Sequence, residues 1–191
     1  TRATALILQN GILVKTGATT RRYLGTIYAS GTNTTEDSAA KRFVWNYYNR
    51  VARPMRVIET TDSWTYTTAT IRQARATASN QLDYVQGVAE DAVTARLLVS
   101  VANSAEGNSM NAGIGVDSTT AFSGQFGTHL TSTTGTTVPT GSISAYYQGF
   151  PGVGRHFLSW NEYSIAAGTT TWYGDNGGLL VQSGISGEIR G

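Results

Sequence analysis

Apolar and polar residues alternate in short runs along this chain, and turn residues break the runs every eight to twelve positions. That period-two rhythm predicts strands, and the spacing of the breaks predicts many of them joined by tight connections. The first unit is Ala5–Leu8, Asn10-Gly11 and Ile12–Lys15. It reads as a β-hairpin, because Asn-Gly accepts the positive φ values of a type I′ turn. Arg21–Ser30 alternates Tyr23, Gly25 and Ile27 against Arg22, Leu24, Thr26 and Tyr28, and is expected to form a strand with one better-buried face.

The rhythm changes at GTNTTEDS. Thr35 or Asp37 can cap a helix, and Glu36 and Asp37 would then sit in the first turn, where the helix dipole favours acids. Ala40, Phe43, Val44, Tyr47 and Val51 follow at helical spacing. Phe43, Trp45, Tyr47 and Val51 also fit a strand, and Val, Trp, Asn and Tyr are weak helix formers. The cap and the Ala-Ala-Lys-Arg start predict a short helix over Thr35–Asn49, with a strand as the alternative and Pro54 beyond it as a stop.

Arg56–Glu59 and Ser63–Ala76 read as two arms of a hairpin about Thr60-Thr61-Asp62. Leu82–Ala89 is the next strand. Val93–Val101, nearly continuous in apolar residues, is expected to be the most buried one. Ala112–Val116 is a short strand, and 119–142 reads as Thr/Gly/Ser-rich loops with one weak strand. Ile143–Phe150, Arg155–Ser164, Thr169–Tyr173 and Leu179–Gln182 follow as strands. Gly177-Gly178 is expected to turn the last two into a hairpin, and Ile185–Arg190 closes the series. The sum predicts an all-β fold: one antiparallel β-sandwich or jelly-roll-like domain over residues 1–191, with one short helix near 35–49.

Composition agrees with that outline. Twenty-nine Thr, sixteen Ser and twenty-two Gly in 191 residues favour strands and turns, and 40% hydrophobic against 14% charged residues places the chain far from disordered sequences. There is no cysteine, which excludes disulfides, thiolate metal sites and cysteine nucleophiles. No apolar run approaches the length of a membrane-spanning helix. The opening TRATALILQ lacks Met and a basic-then-apolar signal layout, and so reads as part of a longer, processed or partly ordered polypeptide, the domain then being its C-terminal part. Net charge is +2, split as +7 over residues 1–75 and −5 over the remainder, with twelve arginines among fourteen basic residues. The basic residues are dispersed, which argues against nucleic acid as a partner and for neutralisation within or between subunits.

Candidate chemistry is sparse. The two imidazoles, His129 and His156, lack ligand spacing for a metal. Glu162 and Asp175 could be drawn as a glycosidase acid pair, which requires carboxyls roughly 5–10 Å apart, but ordinary hydrogen bonding accounts for both. Asp117-Ser118-Thr119-Thr120 and Asp175-Asn176-Gly177-Gly178 resemble fragments of calcium loops without the ligand count that calcium needs, and read as Asx turns. The reading is therefore non-enzymatic, with no cofactor. Thr34–Tyr66 combines two of the four tryptophans with five basic residues. Its Trp45, Tyr48, Arg50, Arg53 and Arg56 are the candidate self-association surface, while Trp172, Tyr173 and Asp175 are the candidate ligand or receptor surface.

The run RRYLGTIYASGTNTTEDSAAKRFVWNYYNRVARPMRVIETTDSWTYTTATIRQA, with GVAE, GIGVDSTTA, GRHFLSWNEYSIAAGTTTWYGDNG and SGISGEIRG, is similar to a family of tailed-phage and prophage proteins. Its members occur as C-terminal regions of virion fibres and of head or tail decorations. The resemblance implies a virion structural protein, extracellular on the particle, assembled with copies of itself as a homotrimer and with other virion proteins. A receptor- or carbohydrate-binding fibre tip, facing a host surface glycan, is the alternative. The resemblance carries no site residues over.

Overall fold

The computed structural model describes residues 4–130, 140–179 and 181–191. In chain order the strands are β1 (Leu6–Gln9), β2 (Ile12–Lys15), β3 (Ala18–Arg22), β4 (Gly25–Ile27), β5 (Lys41–Arg42) and β6 (Val44–Asn46). They continue with β7 (Ala52–Ile58), β8 (Ser63–Thr65), β9 (Arg72–Gln73), β10 (Gln81–Gln86), β11 (Val93–Asn103) and β12 (Ser109–Val116). The last are β13 (Phe126–Leu130), β14 (Gly141–Gly149), β15 (Gly154–Ser164), β16 (Thr170–Tyr173) and β17 (Gly184–Arg190). The chain is all-β, two curled and almost wholly antiparallel sheets forming a sandwich that approaches a half-barrel.

One large sheet runs β13-β12-β15-β10-β5, with β9 added on β15. The other is centred on β11. β14 lines one edge of β11 from Val93 to Val101, while β17 and then β16 line the other, and β7 and β8 extend these two in turn. The core lies between the sheets. Val93, Ala95, Leu97, Val99 and Val101 of β11 meet Leu82, Tyr84, Met110, Ile114, Leu158 and Trp160 of the facing sheet. Strand alternation therefore sorts β11 cleanly: Thr94, Arg96, Leu98 and Ser100 point the other way. The run expected to be the most buried strand is buried on one face only, and Leu98 is 52% exposed.

The Asn10-Gly11 hairpin forms as its sequence predicts, with φ of 50° and 78° at the two turn residues. Several expectations fail. Arg21–Ser30 is not one strand but is divided between β3 and β4, which belong to different sheets. No α-helix occurs among the described residues, and 35–49 contains β5 and β6 instead. Ser38 N–H donates to Lys41 O, a bridge joins Asp37 to Arg42, and β6 pairs with β4, so non-local pairing and the β preference of Val44 and Trp45 override the cap signal. Arg56–Glu59 and Ser63–Ala76 are not hairpin partners, since β7 pairs with β17 and β8 with β16. Gly177-Gly178 makes a 3-10 turn, and the next strand begins at Gly184. Within 119–142 the weak strand is β13; residues 131–139 lie outside the described ones.

The segment carrying β4 to β6 straps across the outer side of β10 and β15. Phe43 and Trp45 are buried there, Arg155 lies 5.1 Å from the Tyr28 ring centre, and Trp45 Nε1–H donates to Arg190 O at 2.7 Å. β1–β3 form a separate three-stranded sheet in which Val14 is the only buried residue.

Candidate functional site

The outward side of the β11 sheet is built from residues far apart in the chain. Register puts Arg96 opposite Tyr146 on β14 and opposite Ser186 on β17, and Ser186 opposite Arg56 on β7. These four side chains form one row across four strands, Tyr146–Arg96–Ser186–Arg56. The next row is Ser144–Leu98–Gly184–Ile58, and the row on the other side is Gln148–Thr94–Glu188–Pro54. Strands stand about 4.8 Å apart, so Arg96 and Arg56 are separated by roughly 10 Å at their bases.

This face is sunk between two rims. Gly124–Phe126 runs along β14, where a side chain on Gly124 would press on Tyr146 O. On the far side Arg56 N–H donates to Ala39 O and Arg42 donates to Pro54 O at 2.8 Å, which fixes the 39–42 segment beside β7. The result is a trough of two adjoining depressions, about 940 and 600 Å³, sharing Arg96, Tyr146 and Ser186 in their walls. Ser144, Gly184 and Ser186 are the small residues of its floor. The Arg96 guanidinium lies 5.8 Å from the Tyr146 ring centre, and Tyr146 O–H donates to Gln148 Oε1 at 3.2 Å.

The residues singled out in the sequence are mostly elsewhere. Trp45, expected on a self-association surface, is 1% exposed, packed against Gly87 and Gly191. Tyr48 is 57% exposed. Arg50 pairs with Glu90 and Asp91, and Arg53 with Asp37 and Val44 O, so both arginines serve this chain's own acids. Only Arg56 of that cluster faces the trough. Trp172, expected on a ligand surface, is fully buried, opposite Trp64 and Val101 in the sheet. Tyr173 is half-buried, and Asp175 accepts from Gly177 N–H as the cap of the 3-10 turn.

The proposed acid pair is also spoken for. Glu162 is fully buried. Its Oε1 accepts from Arg72 Nε at 2.7 Å and from Arg75 N–H at 3.2 Å, and its Oε2 accepts from Trp64 Nε1–H at 2.8 Å. Burial pushes this carboxyl above the usual carboxylate range against the pull of Trp64, Arg72 and Arg75. Since every neighbour is a donor, the carboxylate is the form that fits, and it holds β15 to β8, β9 and the 74–76 turn. Glu59 is held below the usual range: burial raises it, but Asn80, Thr61 and Arg75 outweigh that. His156 Nδ1 meets Asp117 Oδ2 at 2.7 Å, and Asp117 Oδ1 accepts from Phe157 N–H at 2.9 Å. That contact ties a turn residue in the left-handed region, φ 52°, to β15. Among the described residues no three His, Asp or Glu lie close enough to hold a metal ion, and no helix is long and apolar enough to cross a membrane.

Sequence reasoning missed Arg96 and Ser186. The available signal was alternation: Arg96 interrupts an apolar run at the right parity to point outward.

No protein-family model matches the chain, and no curated protein matches it in sequence. Among solved structures it is similar to a part of dimeric latent PorU from Porphyromonas gingivalis, at 9% identity and a TM-score of 0.44 over 91% of this chain and 15% of that one. It is also similar to a part of a cycloisomaltooligosaccharide glucanotransferase from Paenibacillus sp., at 15% identity and a TM-score of 0.27 over 62% of this chain and 17% of that one. The chain thus spans less than a fifth of either protein, and at these scores neither likeness carries a functional argument.

Proposed function

We propose that this chain is a non-enzymatic structural module of a bacteriophage particle that associates with copies of itself, as a trimer, and with other virion proteins. The observation that supports self-association is the N-terminal sheet. A three-stranded sheet needs a covered apolar face to be stable, yet β1–β3 bury Val14 alone and leave Leu8 68% exposed. Just beyond the sheet Leu24 and, in β4, Ile27 are 69% and 67% exposed. Packing against a neighbouring copy supplies the missing cover, and suits a cysteine-free chain that has no disulfide to stiffen this region. The virion setting is supported by the sequence resemblance alone.

Native mass spectrometry and sedimentation test the association. The unmodified chain is expected to be oligomeric at micromolar concentration, and a Leu24→Asp, Ile27→Asp double variant monomeric with unchanged far-UV circular dichroism. A monomer in the unmodified chain, or an oligomer indifferent to both changes, sinks the reading. Localisation in a particle reconstruction tests the setting. A second reading, attachment to a host glycan, is favoured by the basic and aromatic trough on the β11 sheet.

A further inference from the structure

We infer that the trough binds an acidic, uronate-bearing polysaccharide. Arg96 and Arg56 would take carboxylates from two separate sugars, and Tyr146 would stack on a ring between the Gln125 rim and the Ser144 and Ser186 hydroxyls. The inference deepens the glycan-attachment reading and is independent of self-association through β1–β4.

Charge is the first argument. Arg42, Arg50, Arg53, Arg72, Arg75 and Arg155 each have a carboxylate of this chain within ion-pair distance. Among the described residues Arg21, Arg22, Arg56, Arg96 and Arg190 have none, and of these only Arg56 and Arg96 line the trough, pointing into the same depression from the strands on either side of β17. A guanidinium fork matches a carboxylate bidentately, and it does so best where an adjacent ring shields one side. Tyr146 supplies that ring for Arg96. Among the described residues of these rows the one acid is Glu188, a row away, opposite Thr94 and Pro54.

Shape and backbone pairing narrow the occupant. An extended peptide docks by adding to a free strand edge. Here the row lies mid-sheet, and β11 and β17 are bonded to neighbours on both sides. Nucleic acid binding draws on many phosphate contacts, and two guanidiniums are too few. A saccharide asks for what is present: aromatic faces for its apolar ring surface, small hydroxyl-bearing floor residues for its hydroxyls, and well-separated cations for its charges. Two arginines about 10 Å apart select an oligosaccharide over a single sugar.

The test is isothermal titration of the whole chain with hexasaccharides of polygalacturonate, alginate and hyaluronan, and with neutral maltohexaose. At least one acidic hexamer is expected to bind saturably, and maltohexaose not at all. Arg96→Gln and Arg56→Gln should each weaken binding about tenfold, the worth of one lost charged hydrogen bond, and the double variant should abolish it. Glu188→Gln should tighten it. Circular dichroism confirms folding of each variant, and sedimentation follows the oligomer. The inference is overturned if no acidic hexamer binds at millimolar concentration, if maltohexaose binds equally, or if the arginine variants bind as the unmodified chain does. It is also overturned if the double arginine variant dissociates an oligomer, since the face would then be a subunit contact. Failure of the self-association reading shows separately, in the Leu24 and Ile27 variants.

Discussion

Replacing Arg72 by Met leaves a buried carboxylate short of its main counter-charge. The side chain of Glu162 is fully buried and that of Arg72 is 30% exposed, and the guanidinium approaches Oε1 at 2.7 Å through both Nε and NH2. Removing one partner of a buried pair costs about 3–5 kcal/mol. Partial exposure of Arg72 and the two remaining donors, Trp64 Nε1–H and Arg75 N–H, reduce that to about 2–3 kcal/mol. The guanidinium also stacks 3.7 Å from the Tyr66 ring centre, a contact worth a further ~0.5–1 kcal/mol. Met keeps most of the aliphatic stem, so packing losses are small. The expected total is about 3 kcal/mol, or a fall in Tm of roughly 6–12 °C for a chain of this size.

The pH dependence identifies the cause. Glu162 already has a folded-state pKa above its unfolded one, because burial raises it. Such a carboxyl binds its proton more tightly when folded, so its contribution to stability falls as pH rises through the folded pKa. Arg72 opposes the shift, and removing it moves the folded pKa further up. The added penalty is full above that pKa and vanishes as pH falls towards the ordinary carboxylate value. Guanidinium unfolding of both proteins at about pH 5 and pH 8 should give a clearly larger difference at pH 8. The loss of the aromatic contact should weigh equally at both. A difference below 1 kcal/mol, or one equal at the two pH values, would falsify the assignment of Glu162 as a buried, Arg72-balanced charge.

Two further outcomes follow from the packing. Gly87→Ala places a methyl group against the buried Trp45 ring and beside the Tyr23 hydroxyl, and should cost about 1–3 kcal/mol by overpacking. Thermal unfolding and tryptophan fluorescence read it, and a change under 0.5 kcal/mol with an unshifted spectrum contradicts the packing. Glu59→Gln should flatten the acid limb of the stability profile. The folded Glu59 pKa is depressed, so its stabilisation is present above the unfolded value and is lost as pH falls through the folded one. The gap between Glu59→Gln and the unmodified chain should therefore be widest near neutrality and close on acidification, and parallel profiles would count against it.

What could be read from the chain was what is decided locally. Asn10-Gly11 contains its own conformational preference and turns as expected. Ile185–Arg190 alternates without competition and forms the closing strand within β17. Within Thr35–Asn49 the local signals conflict. A cap and two acids point to a helix, and the strand outcome depends on partners outside the segment, β4 for β6 and β10 for β5. Trp172 failed for a related reason. In a four-residue strand, alternation defines two faces without saying which is inward, and only its pairing with Val101 and Trp64 settles that. Arg50 and Arg53 look like a cluster in sequence, yet Glu90, Asp91 and Asp37 disperse them in space.

The trough was illegible for the deeper reason that it is a product of three registers. Arg56, Arg96, Tyr146 and Ser186 carry no shared motif, and each is unremarkable in its own segment. Their alignment is nevertheless tightly determined. A one-residue slip of β17 against β11 would turn Ile185 and Ile189, 0% and 3% exposed, out to solvent and drive Ser186 and Glu188 into the core. Exposing two isoleucines costs about 3–6 kcal/mol, and burying an unpaired Glu188 adds several more. The same penalty guards β14, where Ile143 and Ala145 face inward and Ser144 and Tyr146 outward. The burial that holds the sandwich together thus sets the distance between Arg96 and Arg56. That spacing is a rigid property of the fold, so carboxylates presented to it at a different interval should bind through one arginine only.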